Sequence, residues 1–231
     1  MYADRHAAGE RLATEVTALE PGAPVVLALP RGGVPVAAPV AQALGAPLDL
    51  ILVRKLGLPQ APEVAAGAVV AGAPEHVVWN DAVLAGAGFS RSDMDPVLKA
   101  ERARNAARRD EWLGGRAPLP LAGRTAIVVD DGIATGATLR AALMALHDRG
   151  PARVVLAIPV APPDALADLA PLVDDVICPE RPVPFRAVGL HYRDFAEVSD
   201  AEVIRLLAAC DGNADDGSDN RDGPDEREDT T

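Results

Sequence analysis

Asp130 and Asp131 follow the apolar run Ala126-Ile-Val-Val and precede Gly132, Ile133, Ala134, Thr135, Gly136, Ala137 and Thr138. A Gly- and Thr-rich turn that opens a helix offers free backbone N–H groups and the positive end of the helix dipole, which together hold a phosphate. Two adjacent carboxylates would repel that phosphate unless they face something else. Vicinal hydroxyls of a sugar, or a hydrated cation, suit them best. The stretch is not a nucleoside-triphosphate loop, because the lysine of G-x-x-x-x-G-K-[ST] is missing, and no G-x-G-x-x-G follows a strand.

Such a loop needs a strand to deliver it and a helix to open behind it. Thr125 to Val129 reads as that strand and Ala137 to Arg149 as that helix, stopping at Gly150. Similar units recur along the chain, so the pattern is α/β with a mostly parallel sheet flanked by helices. Val25 to Leu29, Leu48 to Val53, Val154 to Ile158 and Val173 to Ile177 are read as strands, and Val36 to Leu44 as a helix ended by Gly45. Ala65 to Val70 and His76 to Trp79 could pair as a hairpin. Ser92 to Leu113 reads as one long Arg-rich helix with a solvated face, residues 162–170 as a short helix, and Ser199 to Ala209 as a closing one. In open parallel sheets ligands sit at the carboxyl ends of the strands, which is where the acids and the loop fall.

The chain has 231 residues, 49% of them hydrophobic, enough for one sizeable domain. Its net charge is −12, but nine acids against Arg221 and Arg227 in the last 21 residues account for −7, leaving about −5 for the body. A mildly acidic body argues against a sequence-independent nucleic-acid binder. Residues 1–210 are therefore expected to form the domain and 211–231 a disordered acidic tail. No apolar run is long enough to span a membrane, and the N-terminus carries Asp4, Glu10 and Glu15, so the expectation is a cytoplasmic protein. Cys178 and Cys210 stand apart, and the four histidines are scattered, so neither a disulfide framework nor a zinc cluster is indicated. The four serines include no G-x-S-x-G elbow of a serine hydrolase.

"IVVDDGIATGAT" resembles the phosphoribosyl-pyrophosphate (PRPP) motif of type I phosphoribosyltransferases. Two further stretches support the resemblance: "LALPRGG" looks like the pyrophosphate loop of that family, and "VRKLGLP" is similar to a turn of its adenine-type members. The three in this order resemble a group of predicted bacterial phosphoribosyltransferases of unsettled acceptor. The resemblance covers Val25 to about Ala209 and implies a type I core with a small C-terminal hood. It implies that Asp130 and Asp131 bind the ribose hydroxyls, partly through Mg²⁺, and that 134–138 hold the 5′-phosphate. Arg31 would be the basic residue of the pyrophosphate loop, with Gly32 and Gly33 letting backbone approach the ligand and a cis peptide at Pro30–Arg31. Arg54 and Lys55 would reach the same pyrophosphate, with a surface ion pair or strand cap as the alternative.

The implied reaction displaces pyrophosphate from C1 of PRPP with a nitrogen nucleophile on a small-molecule acceptor. Ala134 stands where 6-oxopurine enzymes carry an acid, which disfavours those acceptors. Adenine-type enzymes use a glutamate on a segment after that turn; Glu63 is the nearest candidate here, although the local pattern differs, and an ordinary loop glutamate is the alternative. In the hood, Phe185 and Tyr192 are candidates to stack on a planar base, whereas Phe195 is read as packing and His191 as solvent-facing. Relatives are commonly homodimers. The competing class is a catalytically inactive regulator that binds PRPP or a nucleotide with the same fold.

Overall fold

A computed structural model describes residues 1–72 and 75–215. In chain order its elements are α1 (Arg5–Thr17), β1 (Pro24–Ala28), α2 (Gly33–Leu44), β2 (Leu48–Leu50), β3 (Val53–Leu58), β4 (Ala61–Val70), β5 (His76–Trp79), α3 (Asp81–Ala87), α4 (Asp95–Leu113), β6 (Thr125–Val129), α5 (Ala137–His147), β7 (Arg153–Ala157), α6 (Pro163–Leu169), β8 (Asp175–Ile177) and α7 (Asp200–Asp215).

The short apolar runs form a five-stranded parallel sheet of order β2-β1-β6-β7-β8. Its inner strands are near-continuous Val, Ile, Leu and Ala because both faces are covered. One face packs against α1, α2 and α7 through Leu12, Val16, Val34, Val40, Val203 and Leu207; the other packs against α5 and α6. From β1 the chain crosses through α2 to β2 on one side, and from β6 through α5 to β7 on the other. The order therefore reverses between β1 and β6, and the loops leaving those two strands lie side by side at the carboxyl ends, the usual ligand crevice of an open α/β sheet.

The structure corrects or extends four readings of the sequence. The apolar run Leu48 to Val53 is not one strand: β2 stops at Leu50, and Val53 starts β3 of a separate antiparallel sheet, β3-β4-β5. The change of sheet is hidden in sequence because Ile51 and Leu52 are as buried as the strand residues. The expected pairing of Ala65–Val70 with His76–Trp79 is present as β4 and β5. Second, the N-terminal segment, which the resemblance left aside, is a helix capped by Asp4, whose side chain accepts from the Ala7 N–H at 2.8 Å. It crosses α2 closely: a Cβ on Gly9 would lie 2.4 Å from the Val36 carbonyl oxygen. Third, helix α7 runs on through Asp215, five residues into the expected tail; the rest of that tail, 216–231, lies outside the described residues. Fourth, the long Arg-rich helix is split, a 3-10 turn over Ser92–Met94 preceding α4, and opposite its solvated face it buries Leu98, Asn105 and Trp112.

Helix α4 is fixed to the sheet by one buried acid. Asp49, in β2 and 1% exposed, accepts from Arg109 Nη2 at 3.2 Å, from the Leu119 N–H at 2.9 Å and from its neighbour Leu50. Arg116 adds a bond to the Leu48 carbonyl at 2.7 Å. A buried carboxylate is tolerated in an apolar strand only when it is paired in this way. The result is that α4 lies over the carboxyl end of β2, beside the crevice.

Candidate active site

The two loops at the reversal point contain the residues singled out by the sequence. After β1, Pro30–Arg31 is a cis peptide, and Gly32 and Gly33 bring the chain against the acids that follow β6. A Cβ on Gly32 would lie 2.1 Å from Asp131 Oδ2, and one on Gly33 2.8 Å from the Val129 carbonyl. Glycine is required at both positions for this approach, independently of any φ preference.

Asp130 Oδ1 accepts from the Asp131 N–H at 2.8 Å. Burial, and then the charge of Asp131, hold the Asp130 carboxyl well above the ordinary carboxylate range. Burial also raises Asp131, though Arg5 opposes it by donating from Nε at 2.8 Å to Oδ2. The same guanidinium donates to the Ala196 carbonyl at 2.7 Å and lies 3.8 Å over the Phe195 ring, so α1, the acid pair and the hood meet at one side chain.

The loop after the acids is divided in its roles. Ile133, within the turn read as a phosphate-binding, substrate-contacting stretch, is buried, and its N–H is given to the Val160 carbonyl at 3.0 Å, so it anchors the loop to the core instead of contacting a ligand. Gly132 lets the hood close, since a Cβ there would meet Val188 Cγ1 at 2.5 Å. Ala134, Thr135, Ala137 and Thr138 are exposed. Gly136, at φ 72°, turns the chain into α5 without a side-chain cap, which leaves the first-turn N–H groups free of an intrahelical acceptor.

Two cavities flank this loop. One, of about 330 Å³, is lined by Arg31, Arg54, Asn105, Arg108, Trp112 and Thr138. The other, of about 490 Å³, is lined by Ala134, Asp164, Phe185 and the prolines Pro162, Pro163 and Pro182. Arg31 pairs with Glu197 and lies 3.7 Å from Asp200. Arg54 and Lys55 are on β3; Lys55 Nζ is 3.3 Å from Glu63 Oε2 on β4. Glu63 is almost fully exposed, and the structure brings it to Lys55 rather than to the wall of either cavity.

Tyr192 is also placed differently from expectation. Its ring is buried against Tyr2 and Phe195, with centroids 5.6 and 5.0 Å away, and its hydroxyl donates to the Asp131 carbonyl. It therefore supports the acid-bearing turn instead of offering a stacking face. Phe185 does line the second cavity; behind it lies His191, parallel within 9° at 5.6 Å. His191 is largely covered, with Glu180 Oε2 3.6 Å from Nδ1, so the solvent-facing expectation is replaced by a packed one.

Mg²⁺, which the resemblance implies, fits this donor set in one way. The two carboxylates are hard oxygen ligands, and among the described residues no group of three or more His, Cys, Asp or Glu is placed to hold a metal alone. A cation that keeps several waters and is bound through one or two carboxylates plus ligand oxygens matches what Asp130 and Asp131 offer. No helix among the described residues is long and apolar enough to cross a membrane.

The architecture and motifs agree with comparisons to known proteins. TT1426 from Thermus thermophilus, a solved structure, is 40% identical, superposes with a TM-score of 0.77, and is matched over 90% of this chain and 98% of its own. Two proteins from Mycobacterium tuberculosis strains, provisionally named phosphoribosyl transferases, are 45% identical over 207 residues, which is 90% of this chain. The chain spans about half the length of these curated relatives, 46%. The phosphoribosyl transferase domain family matches residues 3–194, α1 and the hood included, and the chain belongs to that family.

Proposed function

We propose that this domain transfers the 5-phosphoribosyl group of PRPP to a nitrogen atom of a small-molecule acceptor and releases pyrophosphate. The observation that carries the reading is the contrast between the cavities on either side of 134–138: Thr138 borders one walled by Arg31 and Arg54, and Ala134 borders one walled by prolines and Phe185. A ligand whose 5′-phosphate rests on the start of α5 would direct its diphosphate to the arginines. Its C1 would then face the second cavity, where a flat acceptor could lie against Phe185 with Asp164 nearby.

In this arrangement the new bond joins the acceptor nitrogen to C1, the bond from C1 to the diphosphate oxygen breaks, and the acceptor nitrogen loses its proton. The acid pair orients the ribose through its hydroxyls, and the α5 N-terminus and Thr135 fix the 5′-phosphate. Arg31 stabilises charge as it develops on the departing diphosphate. Mg²⁺, when bound, would add neutralisation of that same diphosphate.

Calorimetric titration with PRPP, with and without Mg²⁺, on the wild type and an Asp130→Asn/Asp131→Asn variant tests the reading. Mg²⁺-dependent binding that the variant loses is expected, followed by pyrophosphate release when acceptors are screened. Absence of binding at millimolar PRPP would overturn it. Binding with no release from any acceptor would favour the regulator over the enzyme.

A further inference from the structure

On the premise that PRPP binds as proposed above, we infer that helix α4 completes the diphosphate site: Arg108, with Asn105 and Trp112, holds the phosphate group farther from the ribose, opposite Arg31 and Arg54. Positions 105, 108 and 112 are spaced i, i+3 and i+7, so they share one face of the helix. That face lines the cavity of about 330 Å³ that also takes in Arg31, Arg54 and Thr138.

Two features of this wall are unexplained by packing alone. Asn105 is 4% exposed and Trp112 7%, yet Asn105 Nδ2 and Trp112 Nε1 have no acceptor among the described residues. Buried donors are nearly always satisfied; both residues line the cavity but these two nitrogens are covered from it when it is empty, so a small turn of either side chain would present them to an oxygen-rich ligand there. Their chemistry matches phosphate oxygens, which accept from neutral N–H groups and from guanidinium alike.

The charges show how a phosphate would be received. Asp200 lies between two of the arginines, with Oδ2 3.0 Å from Arg108 Nη1 and Oδ1 3.7 Å from Arg31 Nη1. That Oδ1 is itself buried without a hydrogen bond, so its attachment is purely coulombic. A phosphate brings more charge and more acceptor oxygens than this carboxylate, and it can take both arginines from it. The cavity has room for more than one phosphate group, and its border at Thr138 sets it next to the 5′-phosphate loop, as a diphosphate on the same ribose requires. The buried Asp49–Arg109 pair anchors helix α4 to β2 immediately beside Arg108.

The test is titration of the full chain with Mg²⁺–pyrophosphate and, separately, with ribose 5-phosphate, following heat and Trp112 fluorescence. Ribose 5-phosphate engages the acids and the α5 loop without reaching α4. Arg108→Gln and, as a smaller change, Asn105→Ala should each weaken pyrophosphate at least tenfold and leave ribose 5-phosphate within twofold, with melting curves recording the fold. Wild-type pyrophosphate affinity in both variants would overturn the inference while leaving the PRPP reading intact, as would equal weakening of both ligands. PRPP binding by the wild type without any pyrophosphate binding would have the same meaning. If the wild type binds neither PRPP nor pyrophosphate, the underlying reading fails and the inference falls with it.

Discussion

Arg5 Nε and Asp131 Oδ2 meet at 2.8 Å across 126 residues of sequence, with both side chains largely covered. The pair ties the N-terminal helix to the acid that leads into the phosphate loop. Removing one partner of a buried ion pair leaves an uncompensated charge, at a cost of about 3 kcal/mol or more. Arg5→Gln is therefore expected to lower the unfolding free energy measured in urea by an amount of that size. A change of about half a kcal/mol, the value of an exposed pair, would show that α1 and the hood dock without it.

Asp130 gives a pH dependence whose sign follows from burial. Its folded-state carboxyl titrates above the ordinary range of about 3.9, so between that value and the raised one the folded chain retains a proton that the unfolded chain releases. The stability attached to Asp130 is complete below about pH 4 and is lost as pH rises through the raised value. Without divalent cations, Asp130→Asn should gain stability over the wild type at about pH 8, and the gap should close near pH 4. Urea denaturation at both values measures it; a gap independent of pH would refute the assignment.

Gly32→Ala places a methyl group 2.1 Å from the position of Asp131 Oδ2, a side chain that can swing away. The fold should survive and the acid should not stay in place. PRPP affinity is expected to fall at least tenfold, about 1.4 kcal/mol, in calorimetry. At Gly33 the obstacle is the Val129 backbone carbonyl, so Gly33→Ala should lower the melting temperature as well.

Cys178 is protected by its surroundings. Burial pushes its thiol up to about 11, and Sγ lies 3.3 Å from the Glu180 carbonyl oxygen as donor. At pH 8, alkylation by iodoacetamide should be about two orders of magnitude slower in the folded chain than in urea. Equal rates would show that this end of the sheet opens readily.

The placement of the two acids, of residues 132–138 and of Arg31 was legible because each is a local motif directly after an apolar strand, and the parallel sheet brings such loops together by topology. Arg5 was not. Its partner is far away in sequence, and the signal available was Asp4 as an N-cap with Leu12 and Val16 behind it, which marks a helix but says nothing of what its first turn touches. Asn105, Arg108 and Trp112 were hidden for another reason: a helix rich in arginine reads equally well as solvated, and only the buried Asp49 on β2 decides which face turns inward. Tyr192 misled because an aromatic residue in a hood has the same composition whether it stacks on a ligand or braces a turn. Its hydroxyl bond to the Asp131 carbonyl separates the two.

Arg31, Lys55 and Arg108 each already hold an acid of the chain, and Asp131 already holds a cation. Ligand entry at such a place is an exchange of partners, not the filling of a bare charged patch. Fewer salt ions are set free than the arginines alone would suggest, so affinity should fade only gently with ionic strength. Glu197 and Asp200, the present partners of Arg31 and Arg108, belong to the turn before α7 and to its start. A ligand that took both arginines, as proposed above, would convert occupancy at one end of the sheet into slack at the root of the C-terminal helix.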